Sequence, residues 1–203
     1  MSNNKVVIVG GGTFNSISCH LSLAAPAFGT TARQLAKIYQ GHGVDVELVL
    51  TKMADHTSKI VTNDDLLEKL VHIADDPDVK VLVMNAAVCD FEMDSPSDET
   101  RLSSSQDYPA VLRGVQGKLV KLFKEIRPDV IVVGFKTTSG AKWTTQLSKA
   151  AMSLENNGID IVMANDVATK TNLVLTRHTE FVAMASRDHC LSFIAAESLD
   201  LLE

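Results

Sequence analysis

The sequence is short of the groups that build disulfide-bonded or metal-bound scaffolds. Its three cysteines, Cys19, Cys89 and Cys190, are odd in number, widely separated and form no C-x-x-C pair, so neither a disulfide framework nor a zinc site is expected. The six histidines give no H-E-x-x-H and no other metal-ligand spacing. Positive charge is also scarce: 19 Lys and Arg stand against 25 Asp and Glu, a net charge of -6. A broad cationic surface for nucleic acid is thereby excluded, whereas a compact anion held by local groups is not. No apolar run approaches the roughly 18 to 20 residues of a bilayer span, so no membrane insertion is expected. Met1-Ser2-Asn3-Asn4-Lys5 leads straight into Val6-Val7-Ile8-Val9 without the small-residue cleavage site of a secretory signal. A cytoplasmic protein is expected.

What remains is 203 residues, 45% of them hydrophobic, enough for one domain over 1–203 with a substantial core. Short β-branched runs alternate with segments of helical period, the pattern of an α/β, Rossmann-like, mostly parallel sheet with helices on both faces. Five runs read as strands buried on both faces: Lys5 to Gly10, Val44 to Leu50, Val79 to Asn85, Val130 to Phe135 and Ile159 to Ala164. Thr30 or Thr31 is expected to cap a helix that Gly41 and Gly43 stop, and Asn63 one from Asp64 to Ala74. Further helices are expected over Lys118 to Ile126 and Ala141 to Asn156. Leu173 to Thr176 and Glu180 to Ala185, joined by Arg177-His178-Thr179, read as an antiparallel hairpin before an amphipathic stretch from Cys190 to Leu202. Asn15 to Gly29 and the polar segment Phe91 to Gln116 fit neither period and read as long loops, which inside compact domains are usually functional or mobile.

In an open parallel sheet the ligand lies outside the carboxyl ends of the strands. Gly10-Gly11-Gly12-Thr13 follows the first strand and lets backbone amides approach a phosphate, or permits close packing alone. The third glycine of G-x-G-x-x-G would fall at Asn15, and no acid stands at the tip of the second strand, so a dinucleotide-dependent oxidoreductase is disfavoured. Met84-Asn85-Ala86-Ala87-Val88-Cys89-Asp90 leaves main-chain groups open to a ligand, and Asp90 suits a ligand hydroxyl, a Mg²⁺ or a turn cap. Cys89 has no histidine near it in sequence and reads as a packed thiol. Phe135, in Gly134-Phe135-Lys136, reads as an exposed aromatic for a nucleobase, and Lys142 and Lys149 share a helix face where an ammonium can meet a triphosphate. Asn165-Asp166 at the tip of the fifth strand suits a turn or polar ligand contacts.

Gly-Gly-Thr, Ala-Ala-Val-x-Asp-Phe, Gly-Phe-Lys and Ala-Asn-Asp-Val, in this order after strands one, three, four and five, resemble the phosphopantothenoylcysteine synthetases, the phosphopantothenate-cysteine ligases of coenzyme A biosynthesis. The likeness spans nearly the whole chain. It implies a homodimer that uses CTP, or ATP in some lineages, with Mg²⁺ to activate the carboxylate of 4'-phosphopantothenate as an acyl nucleotide, which cysteine then attacks to form an amide. The family's fused flavin-dependent decarboxylase has no counterpart here, so a stand-alone synthetase-like domain is expected.

Carried over by motif, the resemblance assigns the nucleotide to Gly11, Gly12, Thr13, Met84, Asn85, Ala86, Asp90, Phe135, Lys149, Asn165 and Asp166, and loosely to Gly117 and Lys118. Asp90 would touch the metal. Arg101 is the nearest counterpart of the family's catalytic loop lysine. The substrate loop departs from the pattern: along Ser18 to Gly29 the family's arginine becomes Leu21 and its Asn-x-Ser-Ser-Gly asparagine becomes Ala25. His20, Asn15 and Ser22 are the polar groups at hand to replace them. The competing expectation is therefore a nucleotide-binding member that has lost ligase activity and acts as a regulator or subunit.

Overall fold

The computed structural model describes residues 4–94, 101–105, 107–109, 111–177, 182–184 and 186–202. In chain order the elements are β1 (Lys5–Gly12), β2 (Phe14–Ser18), β3 (Leu21–Ala24), α1 (Thr30–Gly41), β4 (Asp45–Leu50), α2 (Asn63–Ala74), β5 (Val79–Ala87), β6 (Phe91–Met93), β7 (Leu112–Gly114), α3 (Leu119–Ile126), β8 (Ile131–Thr138), α4 (Trp143–Asn157), β9 (Ile161–Asp166), β10 (Asn172–Thr176), β11 (Val182–Met184) and α5 (Arg187–Asp200).

Seven strands form one sheet in the order β11-β10-β9-β8-β5-β1-β4. From β4 to β9 the pairs are parallel; β10 and β11 add an antiparallel end. Alternate residues of the valine-rich strands feed opposite faces, as the period of two requires. Val7, Val9, Leu82 and Val132 pack under α2, α3 and α4, against Leu66, Leu70, Phe123 and Ala150. Val6, Ile8, Val81 and Val133 pack under α1 and α5, against Leu35, Tyr39, Leu191 and Ile194. The result is three layers built on a doubly covered sheet, which is why these runs lack polar alternation. From β1 the chain travels outward to β4 through α1, then returns through α2 to β5 on the other side of β1, so the strand order reverses between β1 and β5.

At the opposite end of the sheet, Arg127 gathers three elements, donating to the carbonyls of Ala74, Asp76 and Val79 and to the Asp129 carboxylate. That guanidinium holds the Asp129 carboxyl down at about 2.

Several expected boundaries move. Asn15 to Gly29 is not a continuous loop, because β2 and β3 pair as an antiparallel hairpin; its strands are short, half-exposed and serine-rich, so no alternation was legible. β6 and β7 likewise pair within the segment expected to be loop. Neither Thr30 nor Thr31 caps α1. Gly29 does so in the left-handed region (φ 72), where a Cβ would lie 2.9 Å from that of Ala54. Thr62, not Asn63, caps α2: its hydroxyl accepts from the Asp65 N–H while the Asp65 carboxylate accepts from the Thr62 N–H, a reciprocal capping box. α5 starts at Arg187 rather than Cys190, with Ser186 accepting from the His189 N–H. In the expected C-terminal hairpin, His178 to Phe181 and Ala185 lie outside the described residues. Among the described residues no helix is long and apolar enough to cross a membrane.

Candidate functional site

The site begins as a fork in the sheet. β5 and β8 pair only from Val81↔Ile131 to Met84↔Gly134. Beyond that point β5 stays with β1 as far as Gly12↔Ala87, and β8 stays with β9 as far as Thr138↔Asp166. Between the diverging ends, next to the reversal of strand order, opens a cleft of about 730 Å³. Asn85 to Val88 line one side and Gly134 to Thr137 the other. Polar main-chain groups on facing strand ends that no longer share a ladder need other partners, and a ligand's hydrogen-bonding edge can supply them.

Much of the rest of the wall comes from four connections. Pro26 to Thr31 carry the chain into the start of α1, Asn63 and Asp64 begin α2, Gly117 to Val120 lead into α3, and Asn165, Val167 and Arg187 close the remaining side. Asp90 and Lys118 both line the cleft and form an ion pair, each about half exposed. Phe135 is not an exposed aromatic. It sits inside β8, partly buried against the core beneath α1 and α5, while still contributing to the cleft lining.

Of the residues singled out from sequence, Gly29, Met84, Asn85, Ala86, Asp90, Gly117, Lys118, Phe135 and Asn165 converge on this cleft. The others serve differently or lie elsewhere. A Cβ on Gly11 would fall 2.1 Å from the Thr51 hydroxyl, and one on Gly12 2.0 Å from the Ala25 carbonyl, so both glycines permit close packing within the fold rather than line the cleft. The buried Thr13 hydroxyl donates to Asn63 Oδ1 at 2.6 Å and accepts from the Cys89 N–H at 2.8 Å. Asp166 is a buried organiser. Its carboxylate accepts from the N–H groups of Thr169, Ala141, Gly140 and Ala168 and from the Thr138 hydroxyl. Those donors, Thr169 foremost, hold its carboxyl well below the usual range despite opposing desolvation.

Lys149 and Arg101 are exposed and outside the lining, as is Leu21. Ala25 contributes main chain, its N–H donating to the Thr13 carbonyl. Asn15 bridges to the carbonyls of Cys89 and Phe91, and His20 meets the Ser18 hydroxyl. Neither lines the cleft, nor does Ser22. Asp64, Val167 and Arg187 line the cleft without having been singled out as site residues; Arg187 is brought there by the return of α5 over the sheet, which no local spacing signals. Among the described residues no cluster of three or more His, Cys, Asp or Glu side chains could hold a metal ion. The two carboxylates of the lining, Asp64 and Asp90, suit a Mg²⁺ that arrives on phosphate oxygens, since that ion keeps most of its waters and needs one or two carboxylates.

Fold and cleft define a Rossmann-like α/β domain with its binding site at the carboxyl ends of the sheet. Residues 1–197 match the DNA/pantothenate metabolism flavoprotein C-terminal domain, and the chain belongs to that family. Over 170 residues it is 25% identical to the coenzyme A biosynthesis bifunctional protein CoaBC of Thermococcus kodakarensis, covering 81% of this chain and 42% of that protein. The chain thus spans less than half the length of that relative. Among solved structures, the DNA/pantothenate metabolism flavoprotein from Streptococcus pneumoniae superposes with a TM-score of 0.83 at 19% identity, over 98% of this chain and 99% of that one. A Cab2 variant in complex with phosphopantothenate-cysteine gives 0.70 at 15% identity, over 98% and 86%. At these identities the structures establish the shared fold.

Proposed function

We propose that the chain is a phosphopantothenate-cysteine ligase-like enzyme that activates a carboxylate with CTP, or alternatively ATP, and joins it to cysteine. In the first step a carboxylate oxygen bonds to the α-phosphorus and pyrophosphate leaves. In the second the cysteine amine bonds to the acyl carbon, nucleoside monophosphate departs with the bonding electrons, and the amine proton passes to solvent. The observation that carries this reading is the fork between β5 and β8, whose facing strand ends, Asn85 to Ala87 and Phe135 to Thr137, suit the hydrogen-bonding edge of a nucleobase.

The chain's own groups would divide the work as follows. Asp90 would hold the ribose or the Mg²⁺, releasing Lys118 to face phosphate oxygens together with Lys136. Mg²⁺, when bound, would offset charge on the departing pyrophosphate. Arg101 and Lys149 stand outside the cleft, so their assignment to the phosphates rests on the resemblance alone. A homodimer belongs to the same reading; exposed Phe91, Val111 and Leu112 provide apolar surface at the β6–β7 pair.

A second reading keeps nucleotide binding and drops ligation. It is favoured by Ala25 and Leu21, which supply no polar side chain on the substrate loop. The two separate when the pure chain is incubated with nucleotide, Mg²⁺, 4'-phosphopantothenate and cysteine. Pyrophosphate release requiring every component is the expected result; thermal stabilisation by nucleotide without turnover would establish the second reading instead.

A further inference from the structure

A smaller pocket of about 320 Å³ adjoins the cleft, sharing Asn165, Val167 and Arg187 with it, and is completed by Asp166, Lys170, Asn172 and Ser186. Its charge is lopsided. Arg187 and Lys170 bring two cations, and the one acid of the lining, Asp166, already accepts from four N–H groups and a hydroxyl. Neither cation is ion-paired among the described residues. Arg187 is fixed by donating to the Thr31 hydroxyl at 2.9 Å across to α1. Lys170 is an exposed residue whose main chain alone is held, in the left-handed region (φ 61): its N–H donates to the Asp166 carbonyl and its own carbonyl accepts from Asn172 Nδ2. The Ser186 hydroxyl accepts from the His189 N–H and keeps its own proton to donate.

We propose that this pocket is a phosphate subsite, in which Arg187 and Lys170 hold the dianionic end of a ligand that extends out of the main cleft. A planar guanidinium offers paired N–H donors to phosphate oxygens, and an ammonium beside it adds a point charge. The phosphate could come from the nucleotide or from a phosphorylated acyl substrate; both present the same group. The link to a substrate rests on the function proposed above, whereas the anion preference rests only on the pocket.

The test titrates the full chain and its Arg187→Gln, Lys170→Gln and Arg187→Lys variants with inorganic phosphate, CTP, 4'-phosphopantothenate and pantothenate by calorimetry, with melting curves as the folding control. The expected result is that each glutamine variant weakens inorganic phosphate, and one phosphorylated compound, by about tenfold or more, that Arg187→Lys restores part of this, and that pantothenate is unaffected. Beyond inorganic phosphate, loss for 4'-phosphopantothenate but not CTP identifies the acyl phosphate as occupant; loss for CTP but not 4'-phosphopantothenate identifies the nucleotide. Wild-type affinity for all phosphates in both glutamine variants, absence of phosphate binding by the wild type, or equal weakening of pantothenate and its phosphate ester would overturn the proposal. Phosphate binding through Arg187 in a chain without ligase turnover would leave the subsite standing while removing the proposed reaction.

Discussion

Thr13 and Asn63, fifty positions apart, share a hydrogen bond of 2.6 Å that closes a buried ring with Cys89: Thr13 accepts the Cys89 N–H, and Asn63 Nδ2 donates to the Cys89 carbonyl. The ring ties the end of β1 to the start of α2 and to the turn that carries Asp90. Thr13→Val keeps the side chain's shape and removes both bonds, leaving Asn63 Oδ1 and the Cys89 N–H buried without that partner. At roughly 1 to 3 kcal/mol per group, the variant is expected to lose about 2 to 6 kcal/mol, read as a lower urea midpoint at unchanged slope. A loss under about 0.5 kcal/mol would remove the ring's structural role.

Asp166 makes the cleft region sensitive to acid. Its carboxyl lies below the usual range in the folded chain, so the unfolded chain takes up its proton first as pH falls. The stabilisation is present above the unfolded value of about 3.9 and is lost as pH drops through the folded value. Asp129, held at about 2 by Arg127, adds to the same window, from about pH 4 down to 2. Asp166→Asn is expected to melt lower at pH 7 and to show a shallower fall of melting temperature between pH 5 and 2. Parallel wild-type and variant curves would contradict this.

Asp90 distinguishes stability from binding. Its ion pair with Lys118 is half exposed, and pairs of this kind contribute about 1 kcal/mol or less. Asp90→Ala should therefore leave the ligand-free melting temperature nearly unchanged and shrink the shift produced by CTP with Mg²⁺. A melting shift equal to that of the wild type would take Asp90 out of the site.

The sequence was most readable where burial alone decides structure. Val6 to Val9 and Val81 to Val83 are apolar on both faces because helices cover both sides, and they announce themselves as strands. Ser16 and Ser22 sit in strands too, but in a short, half-exposed hairpin whose hydrogen bonds impose no apolar period. Gly29 stands out in sequence for its place in a motif, while its left-handed φ and the closeness of Ala54 and Leu50, which lie far along the chain, belong to the fold. The motif residues of β5 and β8 were visible as a set. The fork between them was not, since it is a property of ladder register beyond Met84 and Gly134. Asp166 suits a turn or a ligand contact on sequence alone, because a carboxylate at a strand tip looks the same there whether it faces solvent, ligand or five internal donors. Arg187 gave no signal at all, its neighbours on the cleft wall being brought near only by the fold.

The segment between β3 and α1 is moored through its own main chain. The Ala25 N–H bonds to Thr13, the Ala25 carbonyl packs on Gly12, the Ala27 N–H meets Met53 Sδ, and the Phe28 carbonyl accepts from Arg33. Side chains along it are thus relieved of anchoring duty. Substitutions there can change the chemistry this wall of the cleft presents without redrawing its course.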